Sequence, residues 1–485
     1  MVVNIGTSIM EVINKMNQRR LTFVISLIFL CFSFASKGSQ NAEDTFEQLC
    51  ASCHGKNLSG GMAGSLLDDQ WIVDGSPDAL TKIIAEGLIS RGMPAWQDAL
   101  SAEQIRALVI YINEQRFKAS RRVVPDETQP SRVTSLGHTF DITEVYIAPS
   151  ILWALEFLPD GSFITTQRDG ALYHLSADGE LIGDIQGLPE VWQQGQGGLL
   201  DVALHPNYHN NGWVYLAYSY STDGEVGGLA IARGKINNHR WEDHHVLFAS
   251  DPASHSKSGR HFGSRIVFND GYLFFTMGER GIRPSAQDMT IPNGKVLRLH
   301  DDGRVPTDNP FVNTPDTLSA IWSFGHRNPQ GMDVDPTTGL IWEAEHGPRG
   351  GDELNVVTKA RNYGWPIITY GMNYDGTPMT HLTAKDGMEQ PKHYWVPSIA
   401  PAGISFYNGD MFSEWNGKLL VGGMAIQDLQ LFTIDGDTIT AKEIVLSDRG
   451  RIREVKVAPD GSIYLIVTID GKGHVLRLSI SDKTT

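Results

Sequence analysis

The residues with the most specific chemical meaning lie near the start of the chain, in a Cys-Ala-Ser-Cys-His sequence that ends at His54. Two thiols at this spacing, Cys50 and Cys53, can each add to one vinyl group of a haem, and the histidine after them is placed to ligate the iron. Half of a zinc site is the alternative, but zinc needs a second Cys/His pair at short spacing, and none follows before His138. The spacing therefore predicts covalent attachment of a c-type haem.

A methionine further along the chain can supply the sixth iron ligand, because a thioether suits haem iron and raises its potential. Met93 lies in a Gly-Met-Pro-Ala-Trp loop between two segments with helical spacing. Met62 is the rival, but it follows His54 too closely to reach the other haem face easily; a plain core methionine is the remaining alternative. We expect Met93 to be the second axial ligand. Residues 40–117 resemble the single-haem class I cytochromes c, which implies a small all-α domain.

The first residues of the chain have the pattern of an export signal. A basic pair, Arg19-Arg20, precedes an apolar run from Leu21 to Phe34, and small residues follow. The run is too short to span a membrane comfortably, so we predict a signal peptide over residues 1–35. Cys31 would leave with it, and no disulfide is expected. Covalent haem attachment takes place on the export side of the bacterial membrane, so we expect a periplasmic or secreted protein with no stable membrane span.

Length and charge limit the possible classes of protein. The chain has 485 residues, more than one compact core holds, so two or more domains are expected. Its formal net charge of −16 would repel a nucleic-acid backbone, which argues against DNA or RNA as a partner. The 50 glycines fit a turn-rich, all-β fold for the larger part of the chain.

The composition and the hydrophobic pattern of the sequence change after the haem segment. Residues 118–143 are charged and polar and are predicted to be a linker. In residues 144–485, units of strand, Pro/Asp/Gly turn and second strand recur about every 50 residues, which predicts a β-propeller of about six blades. A β-sandwich array is the alternative, but its repeats would be shorter and less regular. The clearest units begin at Leu155, Val202, Ile266, Met332 and Val455.

Polar clusters interrupt the apolar runs of this second region. Loops at one end of a propeller channel converge, so clusters far apart in sequence can share one pocket. The clusters are Gln-Gly-Gln-Gly-Gly from Gln194, His-Phe-Gly-Ser-Arg from His261, Gly-Glu-Arg-Gly from Gly278, Gly-His-Arg-Asn-Pro-Gln-Gly from Gly325, Glu-His-Gly-Pro-Arg-Gly-Gly-Asp-Glu from Glu345, Asn-Tyr-Gly-Trp-Pro from Asn362, and Arg-Ile-Arg from Arg451.

In this order and spacing, the clusters resemble the soluble quinoprotein sugar dehydrogenases, which bind pyrroloquinoline quinone (PQQ) on a six-bladed propeller. The aldose sugar dehydrogenase branch is the most similar, and the resemblance runs from Ile151 to Leu478. It implies an oxidoreductase that oxidises an aldose sugar at C1 to its lactone, with PQQ as the hydride acceptor. The fused haem c would then pass the electrons to a periplasmic acceptor.

The resemblance also implies three catalytic roles. His261 lies where the family places its general base, a role that suits an imidazole because it titrates near operating pH. Glu279 lies where an aspartate usually orients that histidine. Arg327 matches the arginine that polarises the quinone carbonyl.

Further residues are implied as contacts of the cofactor and its metal. A Ca²⁺ ion on the quinone would take the backbone oxygens of Gly347 and Pro348. Glu353 and the carbonyl of Tyr363 match part of a second calcium site. The positions that match PQQ contacts are Gln196, Asn328, Ser398 (in place of a threonine), Arg451 and Arg453.

The chain departs from the family pattern at several positions. A lysine that contacts PQQ falls on Ala425, and His346 replaces a glutamine. The missing cation supports an alternative function, a non-enzymatic propeller that is a binding module beside an electron-transfer cytochrome. A calcium-dependent propeller lactonase is a third reading, but Arg327, Arg451 and Arg453 argue against it. The insertion of the dimeric glucose enzymes is shortened here, near residues 370–395, which favours a monomer.

Overall fold

The computed structural model describes residues 40–68, 70–121 and 130–480. The predicted signal peptide, residues 1–35, lies outside these ranges and stays a prediction. Within the described ranges, no helix is long and apolar enough to cross a membrane. Helices occupy the start of the described chain and strands the remainder, so the predicted order of a small all-α domain and an all-β propeller is confirmed.

Among the described residues, four α-helices form the N-terminal domain. Ser76 caps the third, since its hydroxyl accepts a hydrogen bond from the Ala79 N–H at 3.2 Å, and Pro77 occupies the first helical position. Phe46, Leu80 and Leu108 belong to the buried core between these helices. The helices are α1 (Ala42–Leu49), α2 (Ala51–His54), α3 (Pro77–Glu86) and α4 (Ala102–Ser120), with a 3₁₀-helix at Ile89–Arg91.

The strands form six antiparallel sheets in the part of the chain that the structure describes, one for each blade of a propeller. Five of the sheets have four strands in sequence order. Their apolar faces pack against the neighbouring blades, with side chains such as Leu216 and Phe275 fully buried. The predicted six-bladed propeller is thus confirmed.

The bounds of the four-stranded blades follow. The first three are β3 (Leu152–Phe157), β4 (Phe163–Gln167), β5 (Leu172–Leu175) and β6 (Leu181–Asp184); β7 (Leu199–Leu204), β8 (Trp213–Ser221), β9 (Gly227–Asn237) and β10 (Arg240–Ala249); and β11 (Ile266–Asn269), β12 (Tyr272–Met277), β13 (Lys295–His300) and β14 (Ile321–Phe324). The next two are β15 (Pro329–Val334), β16 (Ile341–Glu345), β17 (Asp352–Val356) and β18 (His393–Trp395); and β19 (Pro401–Phe406), β20 (Leu419–Gly423), β21 (Leu429–Asp435) and β22 (Thr438–Leu446). The loops carry a short helix, α5 (Tyr208–Asn211), and 3₁₀-helices at Pro252–Ser254, Arg283–Gln287 and Ser413–Trp415.

The sixth blade closes the ring by joining the two ends of the propeller sequence. Ile142 of β2 lies opposite Leu478 of β25 in antiparallel register. The strands of this blade, in spatial order, are β1 (Arg132–Ser135), β2 (His138–Ala148), β25 (Lys472–Ser479), β24 (Ile463–Ile469) and β23 (Arg451–Val457).

This closure corrects the predicted linker, residues 118–143. Helix α4 continues to Ser120, and strand β1 and the first residues of β2 lie within the segment that we predicted to be linker. The prediction was wrong in extent: β1 and β2 form a local hairpin, and β2 also pairs with β25 at the far end of the sequence. The polar composition of the segment does not show the long-range half of this pairing.

The order of strands explains why the polar clusters meet. Successive strands reverse direction, so connections between blades open at the same end as connections between the second and third strands of a blade. His261 follows β10 and Arg327 follows β14, both in connections between blades. Glu279 follows the second strand β12, and His346 follows the second strand β16. The fold thus directs all four side chains to one end of the propeller.

Candidate active site and haem pocket

An apolar pocket lies between the helices of the N-terminal domain. Cys50 and His54 reach it from the α2 region, and Met93 reaches it from the loop after α3. A flat, apolar macrocycle fits such a pocket, with a thiol and two side chains that can ligate iron at its wall. The other lining residues are Phe46, Leu66, Trp71, Leu80, Ile83, Ile84, Trp96, Leu100, Leu108 and Ile112.

The donors around this cavity have the chemistry that haem iron requires. Burial lowers the pKa of His54, and a hydrogen bond with the Gly64 backbone opposes this effect only in part. The neutral imidazole, which is the form that ligates metal, is therefore favoured. Met93 packs against the apolar core, whereas Met62, the rival ligand, is 82% exposed. Cys53 lies in α2 beside His54 and is half-buried. The predicted set therefore fits a covalently attached haem.

In the propeller, His261 and Glu279 form a hydrogen-bonded pair through Nδ1 and Oε1. The Glu279 side chain is 1% exposed, and the Gly281 N–H also donates to it at 3.1 Å. The backbone N–H of His261 donates to Gln196 Oε1 at 2.7 Å, which places the predicted Gln196 at the same site. The carboxylate keeps the imidazole proton on Nδ1, so Nε2 of His261 is left as a proton acceptor.

His261 has an unusual backbone conformation and a lowered pKa. Its φ of 53° lies in the left-handed region, which costs a non-glycine residue about 1–3 kcal/mol and is found most often at functional sites. Burial lowers the pKa of the imidazole; Glu279 opposes this effect, and Arg327 and Arg280 add to it. The histidine is therefore neutral near pH 7 and able to accept a proton.

Arg327 lies buried beside this pair with one unpaired nitrogen. Its Nη1 donates to the His346 carbonyl at 2.9 Å and its Nη2 to the Tyr374 hydroxyl at 3.2 Å. Its Nε is buried and has no hydrogen-bond partner in the described part of the chain. An unsatisfied buried donor costs about 1–3 kcal/mol unless a ligand satisfies it. The arginine thus fits an acceptor such as a quinone or carboxylate oxygen.

Asn328, predicted as a cofactor contact, is enclosed by protein and 1% exposed. Its Oδ1 accepts hydrogen bonds from the Gly263 N–H and from Gln330 Nε2, both at 3.2 Å. It therefore ties the loop after His261 to the strand after Arg327. This cross-link is a positioning role that the sequence did not indicate.

Three arginines lie together where the first and last blades meet. Burial lowers the pKa of Arg453 to about 9, and the charges of Arg451 and Arg168 add to the effect. The Nε of Arg168 is buried and, among the described residues, has no hydrogen-bond partner. Like charges held together favour a bound anion, and PQQ is a tricarboxylate. The sequence predicted Arg451 and Arg453 but missed Arg168. The feature that could have indicated Arg168 is its position directly after β4, the second strand of a blade, where connections open at the active-site end.

The loop that carries Gly347 and Pro348 lies between β16 and β17, and hydrogen bonds to the carboxylate of Asp352 hold it in place. One oxygen of Asp352 accepts from the Gly347 N–H at 2.8 Å, and the other accepts from the Ala400 N–H at 2.7 Å and from the Ser398 hydroxyl. Ser398, predicted to contact the cofactor, thus contacts the carboxylate that holds this loop. The backbone oxygens of such a fixed turn are suitable Ca²⁺ ligands.

A buried acidic cluster lies next to this loop. Glu343 and Glu345 alternate on β16, and Glu353 lies opposite Glu345 on β17. Burial raises the pKa of Glu343 and of Glu353, and the charge of Glu345 adds to both effects. His326 Nδ1 lies 3.5 Å from Glu345 and 3.8 Å from Glu343. Glu353 and Tyr363 line one small cavity with Glu345, so this oxygen-rich set fits a hard cation such as Ca²⁺.

The sequence identified only part of that cluster. It predicted Glu353 and Tyr363 but not Glu343, Glu345 or His326. The alternation of two glutamates on one strand was the available signal, since residues two apart share a face.

The two departures from the family pattern lie in different surroundings. His346 is half-buried, and its pKa is lowered to about 3 by desolvation, with Arg327 and His261 adding to the effect. Its neutral ring lies 2.8 Å from the Pro401 carbonyl through Nε2. Ala425 is exposed, in the turn after β20.

Comparison with known proteins agrees with this arrangement. Residues 149–477 match the family model described as glucose/sorbosone dehydrogenase, and residues 39–112 match the model described as cytochrome c oxidase, cbb3-type, subunit III. Aldose sugar dehydrogenase YliI of Escherichia coli K12 is 41% identical over 334 residues, which are 67% of this chain and 89% of YliI.

Two further proteins show the same relationship. Quinoprotein glucose dehydrogenase B of Acinetobacter calcoaceticus is 29% identical over 305 residues, which are 56% of this chain and 60% of that protein. The crystal structure of the apo-form of soluble aldose sugar dehydrogenase from Escherichia coli aligns with a TM-score of 0.67 and 40% identity, over 70% of this chain and all of that one. The chain therefore belongs to the glucose/sorbosone dehydrogenase family, with a cytochrome c domain in front of its propeller.

Proposed function

We propose that the propeller of this protein oxidises an aldose sugar at C1 to its lactone, and that the cytochrome domain carries the electrons to an external acceptor. The observation that supports this most is the buried Glu279–His261 pair beside Arg327, whose Nε is unpaired. Relatives named as aldose sugar and glucose dehydrogenases favour the same substrate class. The export signal and the monomeric state remain parts of this proposal.

His261 accounts for the proton that leaves the sugar. Its neutral ring has Nδ1 bonded to Glu279, so Nε2 accepts the proton of the C1 hydroxyl. The carboxylate of Glu279 then stabilises the imidazolium that forms. The C1–H bond breaks with its electron pair, and C1 becomes the lactone carbonyl carbon, so two electrons and two protons leave the sugar.

PQQ, when bound, supplies the acceptor for the hydride that leaves C1. Arg327 would direct its free Nε–H at the quinone end, while Arg451, Arg453 and Arg168 would bind the carboxylates. The carbonyl oxygens of Gly347 and Pro348 would hold Ca²⁺ at the quinone, and Glu353 with Tyr363 would hold a second Ca²⁺. Gln196 and Asn328 keep the His261 and Arg327 loops in register.

The cytochrome domain accounts for the electrons. Haem c, when bound through Cys50 and Cys53, supplies a one-electron carrier. His54 and Met93 would ligate the iron, and the apolar lining of the pocket would keep water away from it.

Ala425 supports a second candidate, a propeller that binds a ligand without oxidising it. The family lysine is absent there, so one cation that would contact PQQ is missing. The three clustered arginines favour the enzyme, because a non-enzymatic module has no need of an anion site at the same end of the propeller as a general base.

A sugar-dependent dye reduction assay separates the two candidates. Purified protein with added PQQ and Ca²⁺ should reduce the dye with an aldose, and omission of PQQ should abolish the reaction. His261→Asn should lose at least about a hundredfold in rate, the usual scale for a general base. His209→Asn, a change of an exposed histidine on α5, is the matched control. Binding of PQQ without turnover on any aldose would favour the binding module.

A further inference from the structure

The cytochrome domain contacts a loop of the propeller that reaches the active site. This loop, residues 371–380, lies between β17 and β18, and we call it the bridging loop. The Ala42 N–H at the start of α1 donates to the Gly376 carbonyl at 2.9 Å. The Arg106 guanidinium of α4 donates to the Thr380 carbonyl. The second half of the bridging loop is therefore hydrogen-bonded to two helices of the cytochrome domain.

An ion pair joins α4 to the loop that carries Gly347 and Pro348. Arg349 Nε lies 2.9 and 3.1 Å from the two carboxylate oxygens of Glu114, and its Nη2 lies 2.6 Å from Oε2. The two side chains are 26% and 16% exposed, and the pair raises the pKa of Arg349. A forked, half-buried pair of this kind fixes geometry better than an exposed one.

Apolar packing closes the same contact. Met372 of the bridging loop is 1% exposed and belongs to one apolar cluster with Ile110 and Tyr111 of α4. Arg349 and Met372 exchange backbone hydrogen bonds of 3.1 and 2.9 Å. A Cβ on Gly350 would lie 3.2 Å from the Ile110 side chain. The two surfaces therefore fit closely, and separation of the domains would expose buried apolar side chains.

From this interface the bridging loop extends to Arg327. The hydroxyl of Tyr374 accepts a hydrogen bond from Arg327 Nη2 at 3.2 Å, although the tyrosine itself is 69% exposed. Arg349 Nη1 lies 3.5 Å from the Tyr374 carbonyl. A continuous set of contacts thus runs from Glu114 of the cytochrome domain through Arg349 and Tyr374 to Arg327.

We propose that the docked cytochrome domain positions the active site of the propeller, with Tyr374 as the positioning residue that acts on Arg327. Glu114 and Met372 hold the bridging loop, and the loop holds Arg327 at the angle that leaves its Nε free. The fused domain is then a structural part of the oxidation site as well as an electron carrier. The role assigned to Arg327 rests on the proposed function, but the mechanical link does not.

Hydrogen exchange tests the mechanical link without PQQ or sugar. In the full-length, haem-containing protein, Glu114→Gln should speed amide exchange in residues 371–380 about tenfold, because a charge-assisted pair is lost from the closed state. Glu86→Gln, a change of an exposed carboxylate on α3, should leave exchange unchanged. If Glu114→Gln lowers haem content, Arg349→Lys replaces it, since lysine keeps the charge and loses the fork. Unchanged exchange in the bridging loop would overturn the proposal.

A double-mutant cycle tests the link to Arg327. Tyr374→Phe and Glu114→Gln should each lower kcat/KM about three- to tenfold, and the double variant should be no worse than the poorer single one, because both act through one loop. Arg327 and Arg280 lower the pKa of His261, whereas Glu279 raises it. Tyr374→Phe releases Arg327 from its position near His261, so the pKa of His261 should rise and the acid limb of kcat/KM should move to higher pH. Multiplicative losses with an unmoved acid limb would overturn the positioning role. A parent protein without turnover would contradict the proposed function instead, and the exchange result would then decide this inference alone.

Discussion

His261 is held by two hydrogen bonds, with Gln196 at its backbone N–H and with Glu279 at Nδ1, and its φ of 53° lies in the left-handed region. Because its pKa is lowered, His261 should remain deprotonated, and able to accept a proton, at pH values below the ordinary pKa of histidine. The lowered pKa therefore has a direct kinetic consequence.

The pH dependence of turnover should reflect this environment. Because burial lowers the pKa of His261, the acid limb of kcat/KM should have its midpoint below the ordinary pKa of histidine, as protonation removes the base. Glu279→Gln removes a group that raises this pKa, so the acid limb should move to still lower pH while the plateau drops about a hundredfold. An acid limb above pH 7 in the parent protein would contradict the assignment of His261 as a buried neutral base.

The haem ligands give a second prediction at the residue scale. Met93→Ala should open the sixth iron position, and reduced protein should then bind carbon monoxide with a shift of its visible bands. Met62→Ala is the matched control, because that side chain is 82% exposed and should not affect the ligand field. Loss of the native spectrum in the Met62 variant alone would exclude Met93 as the ligand.

At this scale the sequence predicted residues that carry a motif and missed residues that depend on register. The His261, Glu279 and Arg327 positions come from ordered motifs and meet in the structure. Glu353 joins Glu343 and Glu345 in one cluster only through the strand register, which places Glu353 opposite Glu345 and Asn355 opposite Glu343. No spacing rule within one strand specifies which residue of the next strand lies across from it.

At the scale of elements, the ring of blades depends on strand β2, which lay partly within the predicted linker. Phe140 of β2 is fully buried and packs against Phe412 and Trp415, with ring centroids 5.7 and 6.4 Å away. The blade repeat was predictable because each strand–turn–strand unit is local. The closing pair was not, because β2 and β25 lie at opposite ends of the propeller sequence.

Truncation of Phe140 should therefore weaken the whole propeller. Phe140→Ala should lower the free energy of unfolding by about 3–5 kcal/mol, the usual cost of a large aromatic cavity. Guanidinium titration followed by tryptophan fluorescence measures this, and Thr139→Ala, at an exposed neighbouring position, should change it by less than about 0.5 kcal/mol. Equal stability of the two variants would mean that β2 does not close the ring.

At the scale of the whole molecule, the cytochrome domain is docked at the active-site end of the propeller. Arg121, the C-cap residue of α4, pairs with Asp428 and with Asp448, both at 2.8 Å, which adds a second contact to the Glu114–Arg349 pair. Under the proposed function, electrons from the sugar would have an acceptor domain in the same molecule. Their transfer would then need no encounter between proteins.

The most direct test of this account is stopped-flow mixing of the PQQ- and Ca²⁺-loaded protein with an aldose, while the reduced haem bands are recorded. The rate of haem reduction should not depend on protein concentration, because donor and acceptor belong to one chain. A rate that rises in proportion to protein concentration would show that haem is reduced between molecules. Sugar oxidation to an added dye, with no haem reduction at all, would contradict the central claim that the two domains form one redox chain.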